Sequence, residues 1–186
     1  MKHLTASEEQ QIAALKAQIQ KLQTQLGGAR KTKSPPPQVA IKLVKSQARF
    51  KRVKKKGERD SGIGEFFLEI DVTAGTNAIY IPLSIASGKK ATGFIYQIEG
   101  TAEGNISTAE VTSRGDGITK ITLGTILYTK IPAGKTASFR VLIEITGAIN
   151  KKFKVVITRI NYKLSPSDAR YVRYEEPLSS KEIRFD

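Results

Sequence analysis

The chain has 186 residues, no cysteine and one histidine, His3, so disulfides, thiol chemistry, a zinc or copper site of the usual kind and a histidine-dependent triad are not expected. Its net charge of +14 is unevenly distributed: residues 30–59 carry twelve Lys or Arg and one Glu, whereas residues 60–186 carry sixteen basic and fourteen acidic residues. The long C-terminal part is therefore nearly neutral, which argues against a domain whose body is a nucleic-acid-binding face.

The first predicted element is an amphipathic helix over residues 7–27. Ser7 and Gln10 have the spacing of a capping box, and Gly27 and Gly28 end the pattern. Its apolar residues follow the spacing of a coiled-coil seam. They are Ile12, Leu15, Ile19, Leu22 and Leu26. Because this seam is short for a coiled coil, two interpretations stay open: self-association into a homo-oligomer, or docking on the chain's own domain.

A basic, proline-rich linker is predicted over residues 28–38. Pro35, Pro36 and Pro37 favour an extended polyproline conformation, which acts as a spacer. Because the spacer separates the helix from the rest of the chain, it favours self-association of the helix over docking.

Residues 39–186 are predicted to form a mainly β domain, an immunoglobulin-like β-sandwich. Within FFLEIDVT, every second residue is apolar and two of the three residues between them are acidic, as in a strand that buries one face. The alternating residues are Phe66, Leu68, Ile70 and Val72 against Phe67, Glu69 and Asp71. Further runs of this kind are separated by Gly, Pro, Ser and Asp turn signals. About eight to ten short strands at this spacing predict a sandwich or a barrel.

The first segment of this domain, residues 42–56, is basic, and two interpretations stay open. In the first, its lysines protect an edge strand while Phe50 and Val53 pack inward. In the second, it binds an anionic cell-wall polymer, anionic lipid or nucleic acid. Nucleic acid is the less favoured partner, because only Phe50 is near enough to stack on a base. The predicted anion-binding residues are Arg49, Lys51, Arg52, Lys54, Lys55 and Lys56.

No catalytic, cofactor-binding or metal-binding residue is predicted, and the protein is expected not to be an enzyme. The carboxylates of the β region are scattered, and no pair suggests a general acid–base couple. Gly62-Ile63-Gly64 precedes a strand and not a helix, so it lacks the context of a dinucleotide-binding loop. Arg114-Gly115-Asp116 is interpreted as part of a turn.

Several stretches resemble a known family. SGIGEFFLEIDVTAGTNAIYIPLS, GFIYQIEG, TKIPAGKTASFRVLIEIT, KVVITRINYKLSP and EPLSSKEIRFD are similar to immunoglobulin-like β-sandwich modules in exported surface proteins of candidate-phyla-radiation bacteria, the Patescibacteria. The helix EEQQIAALKAQIQKLQTQL resembles the Gln/Ala/Leu coiled-coil spacers of such proteins. The resemblance implies an extracellular, non-enzymatic module at the cell surface.

The expected function is that of a non-enzymatic structural or interaction protein. Its longest apolar run is far too short for a transmembrane segment, and MKHLTASEEQQIAALKAQ lacks the apolar stretch of a secretory signal. A cell-surface location therefore requires that an upstream signal was removed; otherwise the protein is cytoplasmic. The alternative function is a virion or nucleoid structural protein whose basic arm, residues 30–56, contacts nucleic acid.

Overall fold

The computed structural model describes residues 39–53, 61–88, 92–100 and 105–186. Outside the described residues lie the predicted helix over residues 7–27, the linker over residues 28–38 and the predicted anion-binding residues Lys54, Lys55 and Lys56. These parts of the sequence analysis stay predictions. The described residues are mainly β, as predicted, and contain thirteen strands and no helix. The strands are β1 Val39–Val53, β2 Ser61–Ala74, β3 Ile79–Pro82, β4 Ile85–Ser87, β5 Phe94–Gly100, β6 Asn105–Arg114, β7 Thr119–Leu123, β8 Ile126–Ile131, β9 Thr136–Ala148, β10 Lys152–Tyr162, β11 Val172–Tyr174, β12 Leu178–Ser179 and β13 Ile183–Arg184.

The predicted number and length of the strands are wrong. The runs VAIKLVKS and ARFKRVKK, read as two short strands, belong to one strand of 15 residues, β1. A bulge between Leu43 and Lys45 absorbs one residue, so pairing with β2 continues across it. Conversely, the run TKITLGTILYT is divided into β7 and β8 by a turn at Gly124, whose φ is 62°. The C-terminal segment adds three strands of two or three residues each.

The strands form three sheets. The first has four antiparallel strands in the order β1-β2-β9-β6, and will be called the four-stranded sheet. The second has the order β11-β10-β5-β4, with β12 and β13 also paired to β10; only the β4–β5 pair is parallel. The third, β3-β8-β7, is joined to the second through backbone hydrogen bonds between Tyr80 and Lys163, each with an N···O distance of 2.9 Å.

The core lies between the four-stranded sheet and the second sheet. The predicted inward residues of β2, Phe66, Leu68, Ile70 and Val72, are all fully buried, which confirms their orientation. The ring of Phe94 on β5 contacts the ring of Phe139 on β9, with a centroid distance of 5.2 Å. Each fully buried side chain of this size stabilises the fold by about 1.5–3 kcal/mol.

One end of the core is closed by three aromatic rings that hold β1 in place. Phe185, which follows β13, is fully buried and contacts Phe50 of β1 at 4.9 Å and Phe153 of β10 at 4.6 Å between centroids. The backbone N–H of Phe185 donates to the carbonyl of Lys151 at 2.8 Å. Phe50 therefore packs inward, as predicted, and β1 is an edge strand of the four-stranded sheet.

Candidate anion-binding face

The face of the four-stranded sheet that points away from the core will be called the outer face. Its side chains alternate with the buried ones on each strand, and the strand register arranges them in rows across the sheet. From β1 to β6 the rows are Lys42–Asp71–Ser138–Arg114, Lys45–Glu69–Arg140–Thr112, Gln47–Phe67–Leu142–Glu110 and Arg49–Glu65–Glu144–Thr108. A basic edge strand therefore lies beside an acidic one, with the apolar pair Phe67 and Leu142 between charged rows.

Two of the three carboxylates of β2, those of Glu69 and Asp71, are held by side chains of β6 and β9 and not by β1. Arg114 of β6 forms an ion pair with Glu69, and the hydroxyl of Ser138 on β9 donates to Asp71 at 2.5 Å. The cations of β1 stand directly opposite these carboxylates in the register. Even so, neither Lys45 nor Arg49 forms an ion pair with any described residue. The nearby carboxylates partly balance the charges of Lys45 and Arg49, but neither side chain forms an ion pair with them.

A cavity of about 180 Å³ opens on the outer face among these unpaired cations. Its lining residues are Lys45, Gln47, Arg49, Phe67, Leu68, Glu69 and Arg140. Three of them are cations and one is a carboxylate, which Arg114 already neutralises. Arg140 of β9 also lacks an ion pair within the described part of the chain. The cavity therefore combines an excess of positive charge with the apolar surface of half-buried Phe67.

This arrangement suits an anionic group attached to an apolar or planar body. Guanidinium and ammonium groups without partners can donate charge-assisted hydrogen bonds to carboxylate, sulfate or phosphate oxygens. Phe67 offers a surface for the less polar part of the same ligand. Because β1, β2 and β9 supply these groups from paired strands, their backbone positions are fixed before a ligand arrives.

Of the three predicted anion-binding residues that the structure describes, it brings one into the cavity. Arg49 lines it, whereas Lys51 and Arg52 are exposed further along β1, opposite Ile63 and Gly62. The sequence analysis did not predict a role in this cavity for Lys45, Gln47, Phe67 and Arg140. Their only signal in the sequence was an outward position in a run of alternating residues.

No family model, curated protein or solved structure matches this chain. The resemblance to the Patescibacteria modules thus has no support from these comparisons and stays a prediction.

Among the described residues, no cluster of His, Cys, Asp or Glu is large enough to hold a metal ion. The same ranges contain no helical segment with the length and hydropathy needed to cross a membrane.

A second polar cluster joins the third sheet to the segment before β11. The hydroxyls of Tyr128 and Tyr171 form a hydrogen bond of 2.7 Å, and Lys163 Nζ lies 5.2 Å from the ring centroid of Tyr171. Burial, and then the hydrogen bond with Tyr128, raise the pKa of Tyr171 above its ordinary value. Burial also raises the pKa of Tyr96 and Tyr162. The cluster does not line the cavity of the outer face, so we assign it a structural role.

The raised tyrosine pKa values predict alkaline sensitivity. A folded-state pKa above the unfolded value of about 10 means that the fold favours the neutral phenol. The resulting stability is complete below that pH and is lost as the pH rises through the folded-state pKa. We expect the free energy of unfolding, measured in urea between pH 8 and pH 12, to fall above about pH 10. Tyr171→Phe should make this decrease shallower; an unchanged pH dependence would contradict the prediction.

Proposed function

We propose that the protein is a non-enzymatic interaction protein whose β domain binds an anionic polymer along strand β1 and the outer face. The observation that carries this proposal is the convergence of Lys45, Arg49 and Arg140 on one cavity, with no ion pair to any described residue. An anionic cell-wall polymer is the partner that best fits, since its repeated acidic groups can reach several cations at once.

The length of β1 supports a polymer over a small anion. Lys45, Arg49 and Lys51 lie on the same face of a single exposed edge strand. Since a strand rises by about 3.3 Å per residue, these cations extend over roughly 20 Å. A chain of sugar units with regularly spaced acidic groups can follow such a row, whereas an isolated anion occupies only the cavity.

Nucleic acid fits the same surface less well. Phe50 packs on Phe185 in the core and is not available to stack on a base. Phe67 offers a single half-buried ring in the cavity, whereas binding of single-stranded nucleic acid uses several aromatic rings in succession. The virion or nucleoid interpretation is therefore the second candidate, and it depends on the basic arm more than on the outer face.

The proposal is tested by removing the three cations of the cavity. In the full-length protein, Lys45→Gln, Arg49→Gln and Arg140→Gln together should weaken binding to polygalacturonate by about tenfold or more, because each exposed ion contact contributes up to about 1 kcal/mol. The matched control replaces Lys120, Lys135 and Arg173 with Gln, which removes the same charge from exposed positions outside the outer face. Equal losses in both variants, measured by fluorescence anisotropy, would show that only net charge matters and would overturn the proposed site.

The same pair of variants separates the two candidate partners. The nucleic-acid arm would be favoured if the protein binds a single-stranded oligonucleotide more tightly than polygalacturonate. That binding should also fall steeply with salt and be unaffected by the three cavity substitutions. Binding to polygalacturonate that depends on the cavity residues would favour the outer face.

The proposal also includes a cell-surface location, an immunoglobulin-like sandwich and self-association through the helix over residues 7–27. The sequence resemblance and the seam Ile12, Leu15, Ile19, Leu22 and Leu26 support these parts. Removing residues 1–28 should lower the mass measured by light scattering if the helix self-associates. An unchanged monomer mass would contradict this part without affecting the outer-face site.

A further inference from the structure

The two edges of the four-stranded sheet differ in how they are protected. Strand β1 has the usual features that prevent edge-to-edge pairing: lysines along its length, a bulge at Leu43 and Lys45, and a covering segment. The covering segment contacts β1 where the backbone N–H of Lys181 donates to Ser46 Oγ at 2.9 Å. A further strand that approached this side would therefore be opposed by the lysines of β1 and partly blocked by the segment around Lys181.

The opposite edge, β6, is less protected. Its one irregularity lies at its start, between Ile106 and Thr108, and its Ser113 hydroxyl contacts the Thr129 hydroxyl of β8 at 2.6 Å near its end. Its sequence, NISTAEVTSR, contains no lysine and no proline, and its pairing with β9 is regular from Thr108 to Arg114. Within the described ranges, no strand pairs with its other side. As far as the described residues go, the backbone groups along that side are available to a strand from elsewhere.

An open groove runs beside this edge, between β6 and β4. It has a volume of about 410 Å³ and is lined by Leu83, Ser84, Ile85, Ala109, Glu110, Val111 and Thr112. The apolar side chains Leu83, Ile85, Ala109 and Val111 are only half-buried, although all of them pack on the core. A strand added at β6 would cover them and extend the core past the present edge.

We propose that the occupant is β6 of a second copy of this chain, paired antiparallel about a two-fold axis at Thr112. Such pairing places Glu110 opposite the partner's Arg114, and Arg114 opposite the partner's Glu110. The strand is thus complementary in charge to itself, as a two-fold interface requires. Arg114 also binds Glu69 within its own copy, but a guanidinium has five N–H donors and can serve both carboxylates.

The lack of cysteine in the chain allows a direct test by cross-linking. In the full-length protein, Thr112→Cys places a single thiol at the proposed axis, close to the same thiol of the partner. Gln47→Cys is the matched control, an exposed position on the other edge strand of the same sheet. Under mild oxidation at micromolar concentration, the disulfide-linked dimer should form about tenfold faster or more in Thr112→Cys, since pairing raises the local thiol concentration to the millimolar range.

Adding Glu110→Arg to Thr112→Cys should remove most of this difference, because each pair would then contain two like charges. Both positions are exposed, so the circular dichroism spectrum should remain that of the parent protein. Cross-linking at equal rates in Thr112→Cys and Gln47→Cys, or a rate that Glu110→Arg does not lower, would overturn the proposal. The Glu110→Arg variant also accounts for helix-mediated association, which would not depend on the charge of β6.

Discussion

Replacing Phe185 with Ala should lower the free energy of unfolding by about 3–5 kcal/mol, the usual cost of deleting a buried aromatic side chain. Phe185 is fully buried and connects Phe50 of β1 to Phe153 of β10. Its loss would leave a cavity between these two strands. The measurement is urea unfolding, in which the midpoint should decrease while the slope stays constant.

Phe67→Ala is the appropriate control, since Phe67 is also an aromatic residue of the four-stranded sheet but lies half-buried on the outer face. Its removal should cost roughly 1 kcal/mol, as for substitutions outside a closed core. Losses of equal size in the two variants would contradict the role assigned to Phe185. The Phe185 variant should also show faster amide exchange in β1, because Phe50 would lose its main contact there.

Local patterns were sufficient to predict the strands that bury one face. The alternation in β2 depends only on neighbouring residues, and each predicted inward side chain from Phe66 to Val72 is buried. The turn after Arg114 was also predictable, since Gly117 adopts a φ of 74°, which glycine accepts without strain. Both signals are contained within a few residues of sequence.

The cavity was not predictable in the same way, because it depends on strand register. Arg140 lies opposite Glu69, which in turn lies opposite Lys45, although the three residues come from three different strands. A shift of one residue in the β2–β9 pairing would move Arg140 to the other face of the sheet, and a shift of one residue in the β1–β2 pairing would do the same to Lys45. The sequence showed that Arg140 points outward but contained no signal for its neighbours.

The meaning of the basic segment changes for the same reason. Counting charges by region placed the excess at residues 30–59, but it treated Lys42 and Lys51 as equivalent. In the sheet, Lys42 faces Asp71 whereas Lys51 faces Ile63. Lys42 and Lys51 therefore differ in the charge directly opposite them, which a count of charges by region could not show.

The contact between Phe185 and Gly64 of β2 leads to a second prediction with a large effect. The substitution Gly64→Ala should change stability in opposite directions in the parent protein and in the Phe185→Ala variant. A Cβ added at Gly64 would lie 2.7 Å from two atoms of the Phe185 ring, which is closer than such atoms approach. Gly64→Ala should therefore destabilise the native protein by about 1–3 kcal/mol, as overpacking does. In the Phe185→Ala background the ring is gone, and the same substitution should be neutral or stabilising by up to about 1 kcal/mol, because alanine suits a strand better than glycine.

The four proteins form a double-mutant cycle that isolates this contact. Urea unfolding of the parent, both single variants and the double variant should give a coupling free energy of about 1–3 kcal/mol, within the range for residues in direct contact. Additive effects would mean that the ring moves aside at little cost. In that case Phe185 would fill space without fixing β1, and the cations of the cavity would have to be positioned by the pairing of β1 with β2 alone.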